Sequence, residues 1–125
     1  MSNTPTKATI YEDTGLTCMA RITGEDAANI TQSDISTIGL KIFADDSTTE
    51  AVDTSLTVAD VVFDALQTDS RWTVDATGYN WKFEIPASAF PDGDVSYRCE
   101  FKFTPSSGNV WYVVFVVDTI EVRST

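Results

Sequence analysis

Histidine is absent from this chain of 125 residues. Without an imidazole there is no Ser–His or Cys–His nucleophile pair and no histidine general base. Only two cysteines are present, Cys18 and Cys99, too few for a zinc site. In a cytosol they are expected to be buried thiols rather than a disulfide. Basic residues are also scarce, 8 against 19 acidic ones, for a net charge of -11. A field of that sign repels phosphate, so DNA, RNA and anionic membrane surfaces are disfavoured as partners. The longest apolar run, Val110 to Val117, is strand-sized and far short of the roughly 18 residues that span a bilayer. No charged and then apolar leader opens the chain, so a soluble protein made in the cytoplasm is expected. There is no glycine-rich phosphate loop. No spacing among the acidic residues singles out a pair for glycoside hydrolysis. These absences argue against an enzyme and imply no cofactor.

What is present is patterned as strands. The length suits one domain, and 42% hydrophobic residues can fill a core without staples. Residues 1–6 lack apolar periodicity and read as a flexible arm, leaving 7–125 as a single domain. Strands are predicted at Lys7 to Tyr11, Leu16 to Ile22, Ile35 to Ala44 and Tyr79 to Ile85, with shorter ones at Ala27 to Thr31 and Arg71 to Val74. In the 79–85 strand Tyr79, Trp81, Phe83 and Ile85 share one face, and Asn80, Lys82 and Glu84 the other. One segment has helical spacing instead. Val58, Val61, Val62, Ala65 and Leu66 predict a short helix over Val58 to Gln67, with Thr57 placed to cap it and Asp60 in its first turn. About seven strands with turns roughly every 8 to 12 residues indicate an all-β antiparallel sandwich or a small barrel.

The last third is a long hairpin around Thr104 to Asn109. Tyr97, Cys99, Phe101 and Phe103 alternate with Arg98, Glu100 and Lys102, a half-buried strand. The following strand, from Val110 to Val122, is apolar on both faces. Tyr112, Val114 and Val116 are expected to pack inward, leaving Trp111, Val113, Phe115 and Val117 either covered by the helix, the N-terminal arm or a loop of the same chain, or forming a candidate interface for a second copy or another protein. Trp72 is a second possible surface anchor. A sugar platform needs a wet aromatic pair.

Calcium is the metal most open to question. Asp45 and Asp46, near Glu50 and Asp53, occupy one loop, and Asp92 and Asp94 flank Gly93 in another. Calcium takes six to eight oxygens, which sandwich loops often supply. The competing reading is that these residues bond their own turns, and no metal is assigned.

Tyr97 stands two residues before Cys99 and follows an Asp-Gly turn, which resembles the Tyr-x-Cys corner of immunoglobulin-type domains. That resemblance implies an immunoglobulin-like sandwich with Tyr97 as the corner tyrosine and Cys18 with Cys99 as the inter-sheet pair. The core tryptophan that the family carries after its first cysteine is missing, and Leu40 or Ile42 fills that place. Residues 55–125 are also similar to small immunoglobulin-like proteins encoded among bacteriophage structural genes. The similarity runs through Val61 to Asp69, Thr77 to Trp81, Ile85 to Pro91 and Tyr97-Arg98. It implies a non-enzymatic structural subunit of a virion, such as a capsid decoration, neck or tail accessory protein. Its partners would be itself or other virion proteins. The alternative is a stand-alone module that binds carbohydrate or a cell surface.

Overall fold

Apolar residues two apart, held in register by long cross-strand ladders, organise the chain into two facing sheets. The computed structural model describes residues 5–24, 27–45, 47 and 49–122. Over these the elements are β1 (Thr6–Tyr11), β2 (Leu16–Ala20), β3 (Ile35–Ala44), β4 (Val52–Leu56), α1 (Val58–Val61), β5 (Val62–Gln67), β6 (Tyr79–Ile85), β7 (Ser96–Pro105) and β8 (Trp111–Ile120). One sheet has the order β1-β8-β7-β3-β4 and the other β2-β6-β5. This is the connectivity of an immunoglobulin-like sandwich, with β2, β6 and β5 facing β3, β7 and β8. All pairs are antiparallel except β1 with β8, which run parallel from Thr6↔Phe115 to Tyr11↔Ile120.

The core lies between the sheets. Ile38, Leu40 and Ile42 of β3 and Cys99, Phe101 and Phe103 of β7 face Cys18, Trp81 and Ile85 from the other layer, all buried. Trp81 sits at the centre, its ring 4.6 Å from Phe101, 5.9 Å from Phe103 and 6.2 Å from Phe115. The tryptophan of this core thus comes from β6, while Leu40 and Ile42 occupy β3. Cys18 and Cys99 lie on opposite sheets as buried free thiols. Burial pushes the Cys99 thiol up to about 12. Burial, and then the nearby Cys99, raise Cys18 as well. Both stay protonated at neutral pH, which leaves them inert as nucleophiles.

Tyr97 forms the expected corner: its hydroxyl oxygen accepts the Asp92 N–H at 3.2 Å, and its ring meets Phe90 edge-on at 5.2 Å. Tyr97→Phe removes that one bond and leaves the ring packing. A loss of about 1 kcal/mol in unfolding free energy is expected, read by denaturant titration.

Several expectations need correction. The helix predicted over Val58 to Gln67 is a single turn, Val58–Val61, and Val62–Gln67 is strand β5. Its helical spacing is overridden by the β-branched run Val58, Val61, Val62 and by pairing of Val62 with Trp81 across the sheet. Strand β4 was not anticipated; it pairs with β3 from Ile42↔Val52 to Ile38↔Leu56. Its three central residues, Asp53, Thr54 and Ser55, are polar, so alternation gave no signal there. Arg71 to Val74 is not a strand. The Asp69 carboxylate accepts the Arg71 N–H (2.8 Å) and the Tyr79 hydroxyl (3.0 Å), holding the backbone in a turn. Ala27 to Thr31 contributes only a bridge, Thr23↔Asn29. Thr6 belongs to β1; Met1 to Thr4 of the expected arm lie outside the described residues.

Between β5 and β6 the chain is clasped to β2. Arg21 makes an ion pair with Asp75 at 2.7 Å. The same carboxylate accepts the Trp72 indole N–H and the backbone N–H groups of Thr77 and Gly78. The Arg21 guanidinium, followed by the Gly78 N–H, holds the Asp75 carboxyl well below the usual carboxylate range. Trp72 is therefore a loop anchor, tilted on Tyr79 with ring centroids 5.7 Å apart.

Candidate interaction surface

The residues expected to form an interface on β8 face the other way. Val117 is 0% exposed and Phe115 6%, while Trp111 and Val113 pack against the core as partly buried residues. The register with β7 sets this phase: Tyr97↔Val117, Cys99↔Phe115, Phe101↔Val113 and Phe103↔Trp111. Cross-strand partners share a face, so the inward residues of β7 carry those four inward with them. Trp111 stacks on Phe103 at 5.3 Å with the rings 8° from parallel.

The outward phase of β8 is Tyr112, Val114, Val116, Asp118 and Ile120. Tyr112 is 50% exposed and Ile120 43%, with Val114 and Val116 half-buried between them. Tyr11, 57% exposed, lies beside Ile120 on β1. Ladder partners place three rows across this outer sheet face. One is Tyr112, Lys102, Gly39 and Ser55; the next is Val114, Glu100, Lys41 and Asp53; the third is Lys7, Val116, Arg98 and Phe43. An apolar column on β8 thus runs beside a column of alternating charge on β7.

The charge of this face differs from that of the chain. Lys7, Lys41, Arg98 and Lys102 are four of the eight basic residues. Asp53, Glu100 and Asp118 are three of the nineteen acidic ones. With Glu50, which pairs with Lys41, four cations meet four anions, so the face is neutral on a chain of -11. Arg98 Nε lies 2.6 Å from Glu100 Oε2 and Lys41 Nζ 3.1 Å from Glu50 Oε1. Such exposed pairs contribute little to stability, but they set the local field.

The Asp45 carboxylate and the backbone of Asp92 and Asp94 hold the turns. Asp45 accepts the Ser96 N–H through Oδ1 at 3.1 Å and donates its own N–H to Ser96 O. Asp92 accepts the Thr119 hydroxyl at its carbonyl oxygen, 2.7 Å, and Asp94 donates its N–H to Thr119 O, 3.0 Å. Asp45 and Asp94 have φ of 49° and 56°, left-handed positions that Asp tolerates. Asp46 lies outside the described residues. Among the described residues no three His, Cys, Asp or Glu side chains come together as metal ligands.

A hollow of about 320 Å³ opens at one end of the sandwich, between Gly24, Ala28 and Ile30 on one side and the β7–β8 hairpin on the other, with Ser33, Asp34, Ser106 and Asn109 in its wall. Ile30, Pro105 and Trp111 make up the apolar part of its wall, and Asp34 already accepts the Thr31 N–H at 2.9 Å. Among the described residues no helix is long and apolar enough to cross a membrane.

The fold and this surface place the chain in the class of immunoglobulin-like β-sandwiches with an outward-facing five-stranded sheet. No protein-family model, curated protein or solved structure matches it.

Proposed function

We propose that this chain is a non-enzymatic, protein-binding structural subunit of a phage-like virion, as a capsid decoration, neck or tail accessory protein. It docks through the outer face of its five-stranded sheet. The observation that carries this reading is the column Tyr112, Val114 and Val116, apolar and on the outer face of β8, with Ile120 beyond Asp118. Burying each such side chain against a partner is worth about 1.5–3 kcal/mol when complete. A contiguous column of this kind marks a contact site. The virion assignment rests on the similarity of residues 55–125 to immunoglobulin-like proteins of phage structural genes. The surrounding acidic surface suits solvent or a basic neighbour and repels nucleic acid.

The carbohydrate reading is less well supported. Tyr11 and Tyr112 are both exposed on this face, but Tyr11 pairs with Ile120, eight residues along β8 from Tyr112. At roughly 3.3 Å per residue they stand about 26 Å apart, too far to sandwich one sugar ring.

Val116→Asp tests the proposal. The new carboxylate would lie between Lys7 and Arg98, its ladder neighbours, so the fold tolerates it. Tagged wild-type chain should be recovered with gradient-purified particles of the virus that encodes it. The variant, equally folded by circular dichroism, should be recovered about tenfold less or worse. Wild-type chain found only in the soluble fraction would overturn the virion assignment.

A further inference from the structure

Strand β4 ends the five-stranded sheet, so one of its edges is open. The phase of β3 shows which groups that edge carries. Asp45, just after β3, donates its N–H to Ser96 O on β7, and Ile42 O accepts the Ala51 N–H on the opposite side. Gly39, Lys41 and Phe43 thus turn their backbone groups to β7, and Ile38, Leu40 and Ile42 turn theirs to Leu56, Thr54 and Val52. Asp53 and Ser55 are left with N–H and C=O directed away from the sheet, and among the described residues no strand lies on that side. Such an edge is normally guarded by lysine, proline or a bulge. At the other end of the same sheet β1 follows Pro5 and carries Lys7. β4 is Val-Asp-Thr-Ser-Leu, paired to β3 without a register shift, and its one charge is Asp53. Beside this edge the second sheet stops short. Val62 pairs with Trp81, but the chain before Val62 is the α1 turn, so Lys82, Phe83 and Glu84 have no β5 residue opposite them. A cleft of about 500 Å³ opens there. Leu56, Val61 and Phe83 form its apolar part, and Asp60, Lys82 and Glu84 stand around it.

We infer that an extended segment of another protein, with basic ends, adds to the open edge of β4 and sends apolar side chains from alternate positions into this cleft. The chemistry of the edge defines the occupant. Asp53 and Ser55 each present a donor and an acceptor, two residues or about 6.8 Å apart, and an extended polypeptide is what matches that spacing. Side chains of an added strand alternate between the two faces. Those on the inner face would lie beside Val52, Thr54 and Leu56, over the cleft. Charge sets the ends of the strand. With Lys41 and Glu50 taken as a neutral pair, Asp53, Asp60 and Glu84 exceed Lys82 and Arg71 by one carboxylate, on a chain of -11. A strand with basic ends is attracted to such a site and an acidic one repelled. A second β4 suits the edge less well. It would bring another chain of -11 and set the polar Thr54 at the middle of its inner row. The edge is distinct from the outer face of the sheet, and the inference stands apart from docking there.

Nuclear magnetic resonance titration of the full chain with lysine-flanked synthetic peptides, in which threonine alternates with valine, leucine or phenylalanine, tests this. At least one of the peptides is expected to shift the amide signals of Asp53 and Ser55 saturably. Ser55→Pro removes an outward N–H and spares the β3–β4 ladder, a change that an edge strand tolerates. It should weaken that peptide about tenfold or more with the unfolding midpoint nearly unchanged. If Ser55→Pro does not fold, the peptide itself carries the test. Methylation of its alternate backbone nitrogens in one phase, the one facing β4, should abolish the shifts, and methylation in the other phase should not. Val116→Asp, on the outer face, should leave the peptide affinity unaltered. Asp53 and Ser55 amides that no peptide moves at millimolar concentration overturn strand addition at this edge. Binding that survives both Ser55→Pro and methylation in either phase rests on side chains alone and overturns it as well. Shifts of these amides that grow with protein concentration before any peptide is added would make a second copy the occupant and overturn the assignment to another protein.

Discussion

Truncation of Trp81 to alanine is expected to lower the free energy of unfolding by about 3–5 kcal/mol. Domains of this size are typically stable by about 5–15 kcal/mol, so the variant should approach the unfolding threshold at room temperature. The side chain is fully buried and comes from the three-stranded sheet. Three of its ring contacts, Phe101, Phe103 and Phe115, come from β7 and β8 of the other sheet. Its removal opens a cavity where the two layers meet, and the ladders on either side hinder collapse into it. Trp81→Phe separates ring packing from the indole N–H. That N–H is buried and has no acceptor among the described residues. An unpaired buried donor costs about 1–3 kcal/mol, so losing it offsets part of the lost volume. The phenylalanine variant should therefore lose less than about 1.5 kcal/mol. Denaturant midpoints at constant slope would check both values. A phenylalanine variant as damaged as the alanine one would show that the part of the indole a phenyl ring cannot replace fills the space between the sheets, and that relief of the unpaired N–H contributes little.

How much of the fold a reader of the chain could recover depended on whether one face of each strand is polar. Arg98, Glu100 and Lys102 declare the outer face of β7, and Cys99, Phe101 and Phe103 its inner face, without any knowledge of neighbours. The Tyr97 corner was legible for the same local reason, being set by a spacing of two residues. In β8 both phases are apolar, and nothing local distinguishes Trp111, Val113, Phe115 and Val117 from Tyr112, Val114 and Val116. Pairing with β7 decides it, and that information comes from the neighbouring strand. The larger side chains went inward. The same limit applies to Val58 to Gln67, where helical spacing coexists with β-branched residues and the ladder to β6 selects the strand.

Asn80 was read as an outward polar residue of β6, yet it is 1% exposed, and its replacement should be the second costly change in this fold. Its side chain acts as a stretch of strand backbone would. Oδ1 accepts the Ile22 N–H at 2.8 Å, and Nδ2 donates to Ile22 O at 2.9 Å and Ile30 O at 3.3 Å. It thereby fastens to β6 both ends of the segment that leaves β2 for the opposite sheet. Asn80→Ala leaves the Ile22 N–H and the Ile30 carbonyl without this partner, whereas Ile22 O keeps the Ile30 N–H at 3.1 Å. Two stranded backbone groups and a small cavity predict a loss of about 2–4 kcal/mol. Asn80→Asp is the sharper test because its cost depends on pH. An ionised carboxylate still accepts from Ile22 but turns an oxygen toward two carbonyl oxygens in a buried site. Burial and those carbonyls raise its folded pKa above the unfolded value of about 3.9. The neutral acid donates where the amide did. Its stabilising contribution is thus present below about pH 4 and lost as pH rises through the folded pKa. The deficit of Asn80→Asp relative to wild type should be large at pH 7 and shrink at pH 4 in paired denaturant titrations. A deficit that stays constant across that range would mean that the amide N–H₂ donors are not what holds the crossover to β6.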